Sequence, residues 1–286
     1  MPRTRRRSLL PPSDLRLFSP TRDRPVRAKA QRLESDTEIQ PHRHAWAQVA
    51  ICVSGVTRVT AASATYLVPA WRAVWIPPGV EHAVTVVEAA ELRSLYIHQD
   101  EQVIGPGGVA RAEQAAWRSC RVVEVSALLR ELVLQMGGVS GGGGEPDDDA
   151  LARERRLGDL ALDELRRAAQ VRLGVELPQD KRLRSLCEAV LADPVRHATL
   201  DGWAAEAGAS PRTVARLFRQ ELGSSFGPWR QQVLLAHAMT LAARGRPMGV
   251  IAAELGYASA SAFTAMVRRS VGAPPARFFG KPSRLP

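Results

Sequence analysis

The chain has 286 residues and a formal net charge of +10. This length is enough for two domains with cores of their own, and no segment is apolar enough to predict a membrane-spanning helix. The three cysteines, Cys52, Cys120 and Cys187, are odd in number and lack metal-ligand spacing, which argues against a disulfide framework and favours a reducing compartment, the cytoplasm.

The charge is distributed unevenly along the chain. Residues 1–32 carry a net charge of +8, residues 33–180 carry −7, and residues 181–286 carry +9. Basic ends favour binding to a polyanion, because neutralised phosphates release their counterions. Residues 1–32 are also rich in Arg and Pro, so we expect a disordered basic arm there, which either contacts DNA, acts as a lid, or is simply solvated.

Short β-rich segments separated by Gly and Pro follow, from Thr37 to about His98. Strands of four to eight residues at this even spacing predict a β-sandwich or a β-barrel. We assign residues 33–123 to this domain. The predicted strands are AQVAICVSG, VTRVTAA, ATYLVPA, RAVWIPPG, HAVTVVE and LRSLYIH.

Two motifs lie in the β-rich domain. The first consists of His42, His44, Gln48 and Gly55, and the second of Pro77, Gly79 and His82. They resemble the two motifs of the cupin family, HxHxxxE followed by Gly and PxGxxH. In metal-binding cupins, the ligands from both motifs converge on one ion inside the barrel.

Two residues depart from the metal-binding pattern. Gln48 stands where the family has an anionic ligand, and Val86 stands where the second motif usually ends in Asn. A neutral amide is a poorer ligand for a divalent ion than a carboxylate, although three imidazoles still hold one. We expect that no cofactor is required. Two alternatives stay open, a divalent metal or a hydrogen-bonded cluster without one, and both involve His42, His44, Gln48 and His82.

Tryptophans lie near both motifs in the sequence. Aromatic side chains beside a few polar groups at the mouth of a barrel favour a pocket for a small organic effector. For each of Trp46, Trp71 and Trp75, the alternative is packing in the core or at the rim. The predicted effector pocket consists of His42, His44, Trp46, Gln48, Trp75 and His82.

Residues 124–180 are predicted to be a helical linker with a Gly-rich break, GGVSGGGGEPDDD. Helical spacing of Leu and Val runs from Glu124 to Met136 and from Ala150 to Gln170. The leucines of these helices either cover the barrel or pair with a second subunit, and a homodimer is the expected assembly. The leucines concerned are Leu128, Leu129, Leu132, Leu157, Leu160 and Leu165.

Residues 181–286 are predicted to be a helical domain that contains one pattern twice. Asp180 is the expected N-cap of its first helix. The copies run from Leu200 to Gly223 and from Val250 to Gly272, with an offset of 48 residues before the turn and 49 after it. The helix between the copies, residues 226–244, would span roughly 28 Å, which is close to the ~34 Å between successive major-groove faces of DNA.

The repeated pattern resembles the DNA-binding domain of the AraC/XylS family of bacterial transcription regulators. The resemblance implies two helix-turn-helix units that bind double-stranded promoter DNA. The residues that carry it are Ala204, Gly208, Ser210, Arg212, Leu217 and Phe218 in the first copy, and Gly256, Tyr257, Ser259, Phe263, Arg268, Pro274 and Pro275 in and after the second.

The predicted fold is therefore α+β and multidomain, with an N-terminal cupin-like β-barrel followed by an all-α domain. The predicted function is sequence-specific transcription regulation by promoter binding, controlled by a small effector in the barrel. Activation and repression both fit the sequence, and RNA polymerase is a further partner if the protein is an activator.

The two units are expected to contact bases unequally. Arg212 and Arg216 lie one turn apart on the first recognition helix, and each suits a bidentate contact to guanine. The matching residues of the second helix are Ser261 and Ala265, so we expect its arginines to contact phosphate. The predicted DNA-binding set is Arg212, Thr213, Ala215, Arg216, Arg219, Ser261, Ala262, Ala265, Arg268 and Arg269.

Two other classes of protein compete with a regulator. A cupin oxygenase or isomerase fused to a DNA-binding module needs a firmly held metal ion, and Gln48 argues against one. An architectural DNA-binding protein does not explain a domain with a pocket. Because no Ser/His/Asp set or phosphate-binding Gly loop stands out, we expect no enzymatic activity.

Overall fold

The chain divides near residue 172 into two compact units in this computed structural model. The structure describes residues 8–12, 15–61, 64–100, 104–107, 109–110, 112–136, 147–171, 174–272 and 274–279. Within these ranges, every helix is too short or too polar to cross a membrane.

The first unit is built mainly from β-strands, with helices after the main strands. A 3-10 helix also lies near its start, at Leu15–Phe18. The strands are β1 (Ser8–Leu10), β2 (Val26–Leu33), β3 (Thr37–His42), β4 (Ala47–Ala61), β5 (Ala64–Pro69), β6 (Arg72–Ile76), β7 (His82–Ile97), β8 (Arg121–Glu124) and β9 (Gln170–Val171), and the helices are α1 (Gln114–Trp117), α2 (Ala127–Met136) and α3 (Asp148–Arg167).

Strand β7 is the centre of the sheet. The strand order is β1-β3-β7-β4-β6-β8-β9, and β2 also pairs with β7. The prediction of separate short strands is wrong for β4 and β7, which have 15 and 16 residues. Each strand continues through an irregular stretch, where the register shifts near Ser54 and Val56. Gly55 lies in this bulge with φ +75°, so the sequence signal for a turn marks a bulge instead.

Successive residues along each strand face opposite sides of the sheet, and the two sides lie in different environments. Residues directly opposite in antiparallel strands share a face of the sheet, and Val49 is paired with both Trp75 and Leu95. These three side chains are fully buried in a core that α2 and α3 complete through Leu129 and Leu165. The opposite face of the same strands faces the interior of the barrel.

The prediction of a disordered arm over residues 1–32 is wrong for residues 8–10, 15–18 and 26–32. Residues 8–10 lie in β1, which pairs with β3, and residues 15–18 form the 3-10 helix. Residues 26–32 lie in β2, which pairs with β7 along its whole length. Arg24 adds a bidentate contact, with Nε 2.9 Å and Nη2 2.6 Å from the carboxylate oxygens of Glu154 on α3. The high charge of the segment concealed its alternating apolar positions Val26 and Ala28, which are buried. Residues 1–7 lie outside the described ranges.

Residues 124–180 contain the two predicted helices, now placed at α2 and α3. Glu124 and Gln170 lie in strands β8 and β9 rather than in helices. Asp147 is the N-cap of α3 and accepts a hydrogen bond from the backbone N–H of Ala150. Most of the Gly-rich break, residues 137–146, lies outside the described ranges.

The leucines of the linker region divide into two groups. Leu129, Leu132 and Leu165 are buried in the core, and Leu157 packs against it. Leu128 and Leu160 are each 50% exposed. Covering the sheet therefore accounts for four of the six predicted leucines.

The second unit is helical apart from the short strand β10 (Gly174–Glu176). As predicted, Asp180 caps its first helix, because its carboxylate accepts from the N–H groups of Arg182 and Leu183. The helices are α4 (Lys181–Ala192), α5 (Leu200–Glu206), α6 (Pro211–Leu222), α7 (Phe226–Ala243), α8 (Met248–Glu254), α9 (Ala260–Val271) and α10 (Pro275–Phe279).

The two helix-turn-helix units repeat with the offsets that the sequence predicts. Helix α8 is shifted from α5 by 48 residues at both ends, and α9 is shifted from α6 by 49. Gly208 and Gly256 end the supporting helices in the left-handed conformation, with φ of +64° and +74°. Ser210 and Ser259 then cap α6 and α9 through the N–H group three residues ahead.

The bulge at Gly55 is expected to tolerate no side chain. A Cβ there would overlap the carbonyl oxygen of Ala89, whereas a Cβ at Gly79 meets nothing within 4 Å, although Gly79 has nearly the same φ, +74°. Gly79→Ala should therefore cost about 1–2 kcal/mol of unfolding free energy from the backbone alone. Gly55→Ala should cost about 1–3 kcal/mol more.

Urea denaturation followed by tryptophan fluorescence measures this difference, since four of the six tryptophans, Trp46, Trp71, Trp75 and Trp117, lie in the first unit. Equal losses for the two variants would contradict a close approach of the backbones at Gly55.

Candidate effector pocket and DNA interface

Three histidines from the two cupin-like motifs come together at the edge of the barrel. His42 ends β3 and is paired directly with His82, the first residue of β7. His44 follows in the next loop, where the Gly79 N–H donates to its carbonyl oxygen at 2.8 Å. One ring nitrogen from each of the three imidazoles lies within 4.8 Å of the others, so the predicted convergence is present.

Backbone carbonyls fix the orientation of all three rings. The Nδ1 atoms of His42, His44 and His82 lie 2.9, 2.7 and 3.0 Å from the carbonyl oxygens of residues 40, 46 and 80. A carbonyl only accepts, so Nδ1 carries the proton in each ring, and Nε2 presents a lone pair. The cluster therefore points three Nε2 atoms away from the backbone.

Gln48 connects two of these rings. Its Oε1 lies 2.9 Å from His44 Nε2 and 3.1 Å from His82 Nε2, and its Nε2 lies 3.1 Å from Ser94 Oγ. In this orientation of the amide, its oxygen faces two imidazole lone pairs. The contact becomes favourable in one of two ways. The amide is turned so that its NH₂ group donates to both rings, or a cation lies between the acceptors.

Two rings of the cluster, those of His42 and His82, are held neutral. The pKa of His82 is lowered to about 4, mainly by burial and also by the neighbouring His42 and His44, against the opposing hydrogen bond to the carbonyl of Val80. Burial also lowers the pKa of His42. Neutral imidazoles are the form that accepts hydrogen bonds and binds metals.

A cavity lies beside the histidine cluster, inside the barrel. It measures about 470 Å³ including the space at its open mouth, a size that suits a small organic molecule. Only His42 and Gln48 of the predicted pocket residues line it. The other lining residues are Pro12, Lys29, Gln31, Ile39, Ala50, Val84, Leu92, Ser94 and Tyr96.

The prediction of Trp75 as a pocket residue is wrong. Trp75 is fully buried in the core on the other face of the sheet, where its Nε1 donates to the carbonyl oxygen of Trp117 at 2.8 Å. Trp71 also packs on that side, with the guanidinium of Arg130 3.9 Å from its ring centre. Trp46 does stack on His44, with ring centres 5.2 Å apart.

The predicted DNA-binding residues of the first recognition helix, α6, lie on its exposed face. Arg212, Arg216 and Arg219 are all exposed, while Val214 and Phe218 are buried under them in the core of the unit. The side chain of Arg216 also donates to Gln220 one turn further on. Helix α6 therefore presents three cations to solvent along one side.

The second recognition helix, α9, has the same division but fewer charges. Ser261, Ala262 and Ala265 are exposed along its first two turns, and Arg268 and Arg269 are exposed in its last turn. The face opposite is buried through Phe263, Met266 and Val267. Arg268 occupies the repeat position of Arg219, whereas Arg212 and Arg216 have no cationic counterpart in α9.

Comparison with protein families gives two matches along the chain. A family described as a helix-turn-helix domain matches residues 203–281. A family described as an AraC-like ligand binding domain matches residues 28–169. The first match covers both recognition helices, and the second covers the histidine cluster and most of the cavity lining.

Relatives are found along most of the chain. It is 32% identical over 240 residues to the HTH-type transcriptional regulator NimR of Escherichia coli K12, which covers 84% of this chain and 82% of NimR. It is 29% identical over 144 residues to the arabinose operon regulatory protein of Salmonella typhimurium, 49% of this chain and 50% of that protein. Among solved structures, ToxT of Vibrio cholerae O395 matches with a TM-score of 0.36 and 10% identity, over 89% of this chain and 96% of ToxT.

The chain belongs to the AraC family of transcription regulators, in which a ligand-binding, cupin-like domain precedes a helix-turn-helix DNA-binding domain.

Proposed function

We propose that this regulator selects its promoters mainly through α6, and that an effector in the barrel cavity controls binding. The proposal rests on a difference in exposed charge between α6 and α9, which have the same length and the same Ser and Gly caps. Arg212 and Arg216 on α6 are replaced by Ser261 and Ala265 at the repeat positions of α9.

The residue types on the two helices suit different contacts with DNA. An exposed arginine near the start of a recognition helix offers two parallel donors to guanine O6 and N7. A serine hydroxyl or an alanine methyl discriminates less between bases, so α9 depends on Arg268 and Arg269 for contacts to phosphate. Thr213, Ala215 and Ala262 complete the proposed surface through small contacts at the groove.

The two kinds of contact predict different mutant behaviour. Arg216→Ala should flatten base preference at one or two positions, with a loss of about 1–3 kcal/mol for the preferred base. Arg268→Ala should weaken all sequences alike and lower the slope of log affinity against log salt by about 1. Arg219→Ala is the matched control, because Arg219 holds the same repeat position as Arg268, and it should behave as Arg268→Ala does.

Selection from random DNA, followed by affinity measurements at several salt concentrations, checks this prediction. The same selection with and without cell extract tests control by an effector. An equal loss of base preference in Arg216→Ala and Arg268→Ala would refute the proposal that α6 contacts bases while α9 contacts phosphates.

For the histidine cluster, we propose that no metal is required. With the amide of Gln48 turned, its NH₂ group donates to His44 and His82 while its oxygen accepts from Ser94, so every polar group in the contact is satisfied. The donor set also fits a divalent ion, which would be held by the Nε2 atoms of His42, His44 and His82 and by the amide oxygen. Such an ion would polarise a bound oxygen ligand.

Restoring a carboxylate at position 48 should convert the cluster into a stronger metal site. We expect Gln48→Glu to bind Zn²⁺ or Mn²⁺ about tenfold or more tightly than the unmodified protein, because it adds the anionic ligand that these ions prefer. Gln40→Glu is the control, since it adds the same charge at an exposed side chain nearby. Metal titration with elemental analysis measures the difference. Stoichiometric metal in the unmodified protein, with loss of regulated DNA binding after chelation, would contradict a metal-free cluster.

The proposed assembly is a homodimer with contacts on α2 and α3. The 50% exposed Leu128 and Leu160 supply apolar surface on these two helices, which pack against each other. In a dimer, an effector alters promoter affinity only through its different affinities for two arrangements of the subunits. RNA polymerase is a further partner if the regulator activates transcription.

A further inference from the structure

Helix α7 joins the two helix-turn-helix units and takes part in the core of the first. Its first half contributes Phe226, Trp229 and Val233 to the cluster that also contains the buried residues of α5 and α6. The helices of the second helix-turn-helix unit, α8 and α9, pack against α7 as well. Within the described part of the chain, none of their buried residues belongs to that cluster. The placement of the second helix-turn-helix unit relative to the first therefore depends mainly on contacts along α7.

Two polar side chains fix α7 to the segment that precedes the first helix-turn-helix unit. Arg230 and His237 lie seven residues apart, so they share a face of α7. Arg230 Nε donates to the carbonyl oxygen of Pro194 at 3.0 Å, in the loop after α4. His237 Nε2 lies 2.9 Å from the carbonyl oxygen of Leu191, near the end of α4. These bonds attach α7 to the end of α4 at two points.

Arg230 also lies close to the turn of the second helix-turn-helix unit. Tyr257 is in this turn, where its backbone N–H donates to the carbonyl oxygen of Ala252 at 2.9 Å and its ring packs edge-on against Phe263, with ring centres 5.5 Å apart. Burial raises the pKa of Tyr257, and the positive charges of Arg230 and Arg269 oppose this rise. The Tyr257 hydroxyl therefore lies near both guanidinium groups.

The chemistry of a guanidinium group suits this junction. Its donors form a rigid planar fork, and the bond from Nε to Pro194 leaves two terminal amino groups that point beyond that carbonyl. Arg269, the other cation near Tyr257, is exposed in the last turn of α9 and has no carboxylate within ion-pair distance among the described residues. It is thus available to a phosphate, at a place that Tyr257 and Arg230 adjoin.

We propose that Arg230 is a positioning residue, which holds the turn before α9 against the loop after α4 and so keeps the arginines of α9 aligned with the phosphates that they contact. This inference rests on the proposed function, in which α9 binds phosphate through Arg268 and Arg269. Arg230 itself touches neither base nor phosphate and acts through the turn at Tyr257. The base contacts of α6 are independent of it, because the cap and the buried face of α6 are formed by other residues.

Arg230→Met should weaken the phosphate contacts of α9 and leave base preference unchanged. We expect the slope of log affinity against log salt to fall by about 1, as for the loss of one phosphate contact, while selection from random DNA returns the same bases. Arg230→Lys should lose less, since an ammonium group still donates to the carbonyl but lacks the planar fork. Gln231→Met is the matched control at an exposed neighbour on α7, and it should change neither quantity.

A double-mutant cycle separates positioning from direct contact. The background is the full-length protein with Arg268→Ala and Arg269→Ala, in which α9 has lost both proposed phosphate contacts. Arg230→Met should leave the slope of this background unchanged, because the side chains that it positions are gone. A direct contact between Arg230 and phosphate would instead lower the slope by the same amount in both proteins.

Folding is checked separately from affinity. Circular dichroism gives the folded fraction of each variant, and stoichiometric titration with a duplex from the selection gives the active fraction. If Arg230→Met does not fold, the smaller change Arg230→Gln takes its place, with the same expected results.

The outcomes distinguish this inference from the proposed function. An unchanged slope in the position 230 variant, an equal fall in the Arg268→Ala, Arg269→Ala background, or altered base preference would overturn the role of Arg230 and leave the proposed function intact. A lower active fraction with an unchanged slope would overturn it too, since a purely structural role gives that result. If the background itself keeps the slope of the unmodified protein, the phosphate role of α9 fails, and the positioning role fails with it.

Discussion

The first unit depends on the alternation of side chains between the two faces of β4 and β7, which repeats every two residues. Each of these strands contributes alternate residues to two separate interiors, the core under α2 and α3 and the cavity inside the barrel. Val49 and Gln48 are neighbours in sequence, yet the first packs against Trp75 and the second contacts His44 and His82. A shift of one residue in register would exchange the two surfaces and place the amide in the hydrocarbon core.

A different period organises the second unit. Residues three and four apart along α6 and α9 form the buried faces, and the glycines and serines before them fix where each helix begins. The exposed faces are therefore free of packing constraints. The charge on these faces differs between the helices although their cores and caps correspond, and the proposed separation of base preference from phosphate contact rests on this difference.

The extent of prediction from sequence differs between the units for physical reasons. Local signals decide a capped helix, so the sequence predicts the Asp180 cap and the offsets of both helix-turn-helix units, and the structure confirms them. The cupin-like motifs also located His42, His44 and His82. Strand pairing is not local, and nothing near Trp75 in the sequence indicates that it pairs with Val49 and faces the core instead of the pocket. Lys29 was missed within a charged segment, although the alternation in VRAKAQRL was the available signal.

The one-residue difference between the two turns bears on the history of this domain. The offset is constant through both pairs of helices and changes only between them, as expected if an ancestral unit was duplicated and a single insertion survived in the connecting segment. Insertions inside either helix would have rotated every later side chain by about 100° and mixed buried with exposed positions. The buried positions stay apolar in both copies although the residues differ, as at Val214 and Phe263, whereas the solvent faces differ in charge. A change on a solvent face leaves the packing of its unit intact, so the exposed surface of one copy is free to change while the other keeps its own.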